Sequence, residues 1–286
     1  MALSWPVVLA VLAAALLHAG WNAWVKSSGD PRLDMALVNC MGALLALPVL
    51  FWTGLPQPQS WPFVAVSSVL HLGYYIALSG AYANGEFGLT YPIMRGLAPL
   101  LVALGSASIV GEVPSAATWL GVLGVATGVA LVGLAHPGEA LHHRKALLFA
   151  FANAGIIACY TLVDGLGVRA AQDALRYVLV LVVIDGLLYP PVVWWHLRAT
   201  ERRAAISYAR QRWPLASLGA LASVTSYGIA LWAVTHAPVA SVAALRETSV
   251  LFAALMGTWL LRERFGWQRA AGTVVIVAGV IALRLG

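Results

Sequence analysis

Thr90-Tyr91-Pro92-Ile93-Met94-Arg95-Gly96, followed by Glu112, Gly121 and Gly128, is answered 151 residues later by Ser241-Val242-Ala243-Ala244-Leu245-Arg246-Glu247, followed by Glu263, Gly272 and Gly279. Upstream, Trp61-Pro62 and Tyr75-Ile76-Ala77-Leu78 are echoed by Trp213-Pro214 and Gly228-Ile229-Ala230-Leu231, with the spacing drifting to 152 and 153 across a short insertion. The chain is therefore built twice, with repeats over 1–136 and 144–286. A hydrophobic chain made of two similar halves is the mark of a secondary transporter, whose site lies where the halves meet near the bilayer midplane.

Composition sets the solvent. Of 286 residues, 61% are hydrophobic and 10% charged, against about 25% charged in a soluble domain. Apolar runs near 5–25, 35–54, 61–84, 88–110, 116–135, 146–166, 177–197, 213–235, 237–261 and 267–284 each approach the roughly 20 residues a spanning helix needs. The expected fold is an all-α integral membrane protein of ten transmembrane helices. Five spans per half is an odd number, so the second repeat enters from the opposite face and the two five-helix repeats are inverted. The boundary between 88–110 and 116–135 is the least defined, since only Gly111-Glu112-Val113-Pro114-Ser115 parts them. The first run has no basic leader and continues into Trp21, Asn22 and Lys26, so it reads as a retained helix.

Charge follows topology. On the N-terminal side, side one, lie 3 loop cations, Arg169, Arg176 and Arg284. Side two holds 12: Lys26, Arg32, Arg144, Lys145, Arg198, Arg202, Arg203, Arg210, Arg212, Arg262, Arg264 and Arg269. The positive-inside rule puts side two in the cytoplasm and both termini outside. The net charge of +6 is loop arginine at a membrane surface and no nucleic-acid signal. The polar stretch 198–212 reads as such a link, with a secondary role at anionic headgroups. Cys40 and Cys159 lie inside apolar spans, with no disulfide and no metal spacing expected.

Ionisable groups inside a span cost about 2.5–3.5 kcal/mol on insertion scales, so each needs a reason. Arg95 and Arg246 occupy matching depths in the two halves. Their planar forks suit a carboxylate or phosphoryl group; the competing structural role is a pairing with an acidic side chain or backbone carbonyls between helices. Glu247 either neutralises Arg246 or another cation, or carries a coupling proton. Asp185 lies mid-span with no charged mate on its own helix, so its partner, such as Arg95 or His71, must come from another. Asp164 falls near the end of its run, a solvated position. His18, Trp21 and Asn22 share one helical stripe, and His71, Tyr74 and Tyr75 form a second. Tyr91 flanks Arg95, Tyr227 matches the third span's tyrosines, and Tyr160 and Tyr189 are weaker candidates. Together these form a cavity wall for an organic solute. Pro92 predicts a kink. Gly121, Gly124 and Gly128, with Gly272 and Gly279, predict close helix packing, as scaffold or as the face of a homodimer.

No nucleophile elbow, phosphate loop, dinucleotide fingerprint or zinc motif occurs, so no catalytic residue, metal or cofactor is expected, and ATP-driven pumping is disfavoured. The two copies, Tyr91 to Arg95, Gly111-Glu112, Arg262 to Arg264 and the His18 to Ala23 run resemble the drug/metabolite transporter superfamily, EamA type. The resemblance implies ten helices in inverted repeats, a cavity lined by helices one to four and six to nine, and helices five and ten as scaffold. It also implies a bacterial inner-membrane carrier, commonly an exporter of amino acids and related metabolites. Members are usually drawn with cytoplasmic termini, opposite to the charge count. The expected activity is secondary transport of a small anionic or zwitterionic metabolite by alternating access, with proton or exchange coupling. The alternative is a flippase for a phosphate-bearing lipid-linked substrate.

Overall fold

The computed structural model describes residues 3–26, 30–84, 87–133, 144–261 and 266–285. They form α1 (Trp5–Lys26), α2 (Pro31–Thr53), α3 (Trp61–Asn84), α4 (Phe87–Gly105), α5 (Ala116–Gly133), α6 (Arg144–Ala171), α7 (Ala174–His196), α8 (Ala199–Val234), α9 (Val239–Arg246), α10 (Ser249–Leu261) and α11 (Trp267–Leu285). Among the described residues nine segments are long and apolar enough to span a membrane, and α5 is a shorter apolar helix. One of the nine joins α9 to α10, and with α5 the described residues hold nine to ten membrane-crossing helices, so the chain is a multi-pass membrane protein. The links around 134–143 and 262–265, including Arg262 and Arg264, lie outside the described residues.

Local chemistry sets the helix ends. Asp30 caps α2 by accepting from the Arg32 and Leu33 amides at 3.0 and 3.3 Å. Asp173 does the same for α7 from the Arg176 amide at 3.1 Å. Thus the second helix of each repeat starts with the same cap. After α4, a single π turn (Ser106–Val110) ends at Gly111, whose φ of 76° is left-handed and suits glycine. That is the physical content of the Gly111-Glu112 link, and α5 starts only at Ala116.

Helix partners reveal the symmetry. α3 packs on α6, and their counterparts α8 and α1 pack on each other. α2 packs on its own twin α7, and α5 on its twin α11. An element that touches its own image lies beside the axis relating the copies, so a two-fold exchange of repeats runs through both pairs. At α2–α7, a Cβ on Gly186 would lie 2.4 Å from the Ala43 Cβ and 2.6 Å from the Asn39 carbonyl oxygen. At α5–α11, a Cβ on Gly128 would meet the Gly272 carbonyl oxygen at 2.7 Å, and one on Gly279 would meet the Val125 amide at 2.7 Å. The repeated glycines therefore face each other inside one chain and are used up there. Lipid-facing side chains such as Leu120 and Val274 stay exposed on the outer faces of this pair.

Two departures from the sequence expectations follow from helix continuity. Residues 199–212 are not a loop but the first four turns of a 36-residue α8, whose arginines extend past the apolar run. The ninth span is not continuous: α9 stops at Arg246 and α10 starts at Ser249. Its twin α4 runs unbroken through Pro92 and Arg95. The break thus falls at Glu247, in the half without the proline.

Gly128→Val is expected to force α5 and α11 apart and to cost about 1–3 kcal/mol, read as a lower melting temperature of the detergent-purified protein. Leu120→Ala, on the lipid face of the same helix, is expected to change it little.

Candidate functional site

A cavity sits between the repeats, measuring about 90 Å³ in the space open to the centre of a water molecule. That is ample for more than one ordered water among polar side chains. α1 contributes His18 and Trp21, α3 His71, Tyr74 and Tyr75, and α6 Tyr160. From the far wall come Asp185 of α7, Tyr227 of α8 and Arg246 of α9. The lining residues fall near the middles of α3, α6 and α7, and toward the side-two ends of α1 and α2. The cavity therefore lies near mid-depth and reaches toward side two along α1 and α2.

Arg246 is a half-buried cation with no carboxylate within 4 Å among the described residues. Its guanidinium lies over the Tyr227 ring at 5.6 Å. The indole nitrogen of Trp21, in the same wall, is buried with no acceptor. Two donors thus stand at one hollow without partners. The rest of the wall is aromatic: His71 packs edge-on against Tyr160 at 4.8 Å and Tyr227 at 5.7 Å, and Tyr74 against Tyr160 at 5.8 Å.

Arg95 is held differently from its twin. Its Nε lies 2.6 Å from Glu247 Oε2, and its terminal nitrogen donates to the Ser249 hydroxyl at 3.1 Å and the Arg246 carbonyl at 3.3 Å. Both side chains are buried, at 5% and 4% exposure. The pair sits at the gap between α9 and α10, where the backbone carbonyl of Arg246 needs a donor. Arg95 therefore braces the broken span and lies outside the cavity lining, and Glu247 pairs with Arg95 rather than Arg246. Tyr91 is buried beside it and also off the cavity wall. Asn22 turns its amide onto the His18 carbonyl at 2.9 Å, within its own helix, and does not line the cavity.

The aspartates form a second buried centre. His71 Nδ1 lies 2.8 Å from Asp185 Oδ2, which also accepts from the Tyr75 hydroxyl at 3.2 Å. His71 Nε2 lies 3.6 Å from Asp164 Oδ2. Asp164 accepts from Tyr177 at 2.8 Å and from the Tyr227 hydroxyl. So Asp185 finds its partner in His71, as its isolation on α7 requires. Asp164 is a correction: it is fully buried, not solvated. Its apolar run stops near residue 166 only because Asp164, Gly165, Gly167 and Arg169 themselves lower the hydrophobicity, whereas α6 continues to Ala171. Asn39 and Ser223 also line the cavity and carried no sequence signal beyond being polar in an apolar run. Tyr189 stands one layer out, its hydroxyl 3.2 Å from Ser79.

On side one the two repeats are tied together. Glu112 receives Arg169 at 2.5 Å and the Val239 amide, the first of α9, at 2.8 Å. Arg169 also donates to the Val234 carbonyl at 3.0 Å. One carboxylate thereby ties the end of α6, the end of α8 and the start of α9 to the first repeat. Among the described residues, no cluster of three or more His, Cys, Asp or Glu side chains is arranged to hold a metal ion.

The model of the EamA-like transporter family matches residues 5–134 and again 144–285. A solved protein structure superposes with a TM-score of 0.74 at 19% identity, covering 98% of this chain and 96% of its own. At that identity the likeness concerns the fold alone. No curated protein matches the chain.

Arg95→Met is expected to leave Glu247 as a bare buried charge and to cost about 3–5 kcal/mol, measured by unfolding in detergent. Arg95→Met with Glu247→Met is expected to regain most of that loss.

Proposed function

The chain belongs to the EamA-like transporter family, and from that premise we propose that it is a secondary transporter of a small carboxylate-bearing, zwitterionic metabolite such as an amino acid. The observation that carries this reading is Arg246: a cation with no carboxylate within 4 Å among the described residues, facing an aromatic-walled hollow. A half-buried charge of that kind lowers its free energy by accepting a ligand's carboxylate, and the fork geometry of arginine suits it. Trp21 adds a second donor, and Asp185 offers an acceptor on the opposite wall for an ammonium end. His18, Tyr74, Tyr75, Tyr160 and Tyr227 enclose what lies between. A cavity of about 90 Å³ suits a solute of few atoms, which disfavours a lipid-linked substrate.

With side two cytoplasmic, as the loop cations indicate, the cavity reaches toward the cytoplasm along α1 and α2, and the Glu112–Arg169 tie lies on the outer side. Loading from the cytoplasm fits an exporter in an inner membrane. Inverted repeats supply the alternation, each half taking up the conformation its twin has left. Arg95 and Glu247 act as a brace, keeping the interrupted span in place while Arg246 at its edge binds and releases.

A screen of radiolabelled amino acids and organic acids in reconstituted vesicles, with and without a pH gradient, tests the proposal. Loss of a charge-assisted contact costs about 1.5–3 kcal/mol, so Arg246→Ala is expected to raise KM about ten- to hundred-fold with the protein still monodisperse. An unchanged KM for every transported solute overturns the assignment of Arg246.

A further inference from the structure

His71 stands between two carboxylates that come from the other repeat. Asp185 of α7 lies 2.8 Å from Nδ1 and Asp164 of α6 lies 3.6 Å from Nε2. Every helix packed around the imidazole presents a titratable group. α3 itself brings Tyr75, α6 brings Tyr160 with Asp164, and α7 brings Asp185, with Tyr177 behind Asp164. α8 brings Tyr227, whose hydroxyl lies 3.4 Å from Nε2, and α9 brings Arg246 over the Tyr227 ring. Among the described residues no lysine or arginine lies within 4 Å of either aspartate. The imidazole proton is therefore the charge that turns this cluster from hydrogen bonds alone into two ion pairs across the repeat interface.

Asp185 is shared. One side of it is held by His71 and Tyr75, and it also lines the cavity. The ammonium end of a zwitterion and the protonated imidazole call on the same carboxylate.

We propose that His71 is the site of the coupling proton, and that proton and solute exclude each other at Asp185, so that the protein exchanges one for the other. The inference rests on the transport reading above and adds the coupling site to it. Protonated His71 ties α3 to α6 and α7 through both aspartates. A solute that engages Asp185 displaces that tie, and the proton leaves to water through the cavity. After the repeats exchange conformations and the solute departs, the imidazole takes a proton from the opposite side. No other bond is made or broken. Glu247, by contrast, is committed to Arg95 and lies off the cavity wall.

The test has two arms. In vesicles, a pooled radiolabelled L-amino-acid mixture is offered against an acid interior or no gradient. The unaltered protein is expected to accumulate label several-fold with the acid interior. His71→Gln is expected to lose that stimulation while still exchanging label for preloaded amino acids at a reduced rate. Gradient-driven accumulation that survives in His71→Gln overturns the proposal. Absence of any amino-acid movement by the unaltered protein counts against the transport reading instead, and the second arm then decides. pH-difference infrared spectra of detergent-solubilised protein carrying isotope-labelled histidine are expected to show an imidazole band absent from His71→Gln and displaced in Asp185→Asn. If no ring band assignable to His71 changes with pH, or if Asp185→Asn leaves it in place, the proposal fails without reference to transport. Should His71→Gln not fold, the displacement in Asp185→Asn carries the same decision.

Discussion

A bare charge in hydrocarbon is costly enough to dictate where every intramembrane ionisable group of this protein sits. None of Arg95, Arg246, Glu247, Asp164, Asp185 and His71 belongs to a lipid-facing stripe. They fall at the seam between repeats, where each can meet a group from the other half: Arg95 with Glu247, and His71 with Asp164 and Asp185. The seam is in turn fixed by packing that carries no charge. α2 on α7 and α5 on α11 bring twin helices into backbone contact through Gly186, Gly128, Gly272 and Gly279. Close glycine packing holds the frame, and the frame leaves one polar interior in which the charges can pair.

Within that frame the twins have diverged, and the divergence makes a site. Arg95 and Arg246 stand 151 residues apart in matched sequence, yet among the described residues Glu247 is the one carboxylate that pairs with either. Its counterpart in the first repeat is Gly96. A single anion cannot neutralise two guanidiniums, and here it goes to Arg95, together with the Arg246 carbonyl freed at the break between α9 and α10. Arg246 is left facing the cavity. The broken span and the unpaired arginine are thus one event: the same two residues that interrupt the helix expose the cation at its end, the arrangement used where irregular backbone lines a cavity.

The duplication, the membrane spans and the all-helical class were legible because they depend on composition and period, which a sequence displays directly. The partners of the charges were not. Asp185 declared its need for a cross-helix partner because nothing on α7 could supply one, and His71 was among the residues in view. Asp164 was misread because an apolar run measures hydrophobicity, whereas a helix ends where its hydrogen bonds end, at Ala171. The same distinction explains α8, which carries its helix back through an arginine-rich segment to Ala199. Pro92 pointed to a kink in the fourth span, but the interruption lies in the ninth, where no proline stands within α9 or α10. Backbone breaks answer to tertiary pairing as much as to local propensity.

Charge pairs across the seam also differ in depth, and depth orders them for motion. At side one, Glu112 and Arg169 keep 25% and 34% of their side-chain surfaces exposed. At side two, Arg212 of α8 meets the buried Asp34 of α2 at 3.0 Å with 26% exposed, and Tyr208 adds a hydrogen bond at 2.9 Å. Both ties join the first repeat to the second, one at each end of the interior. Pairs with one partner in reach of water are less costly to part than fully buried ones, because the exposed cation is rehydrated as they separate. The midplane pairs are buried, at 4–5% exposure for Arg95 and Glu247 and 6% for His71 and Asp185, and separating one there without a replacement strands a charge at a cost of several kcal/mol. A carrier that opens alternately must release its ends far more readily than its centre. Partly exposed pairs at the two ends and buried pairs between them meet that requirement, provided something replaces each midplane partner as it is lost. A zwitterion at Arg246 and Asp185, or a proton on His71, is of the right charge to do so.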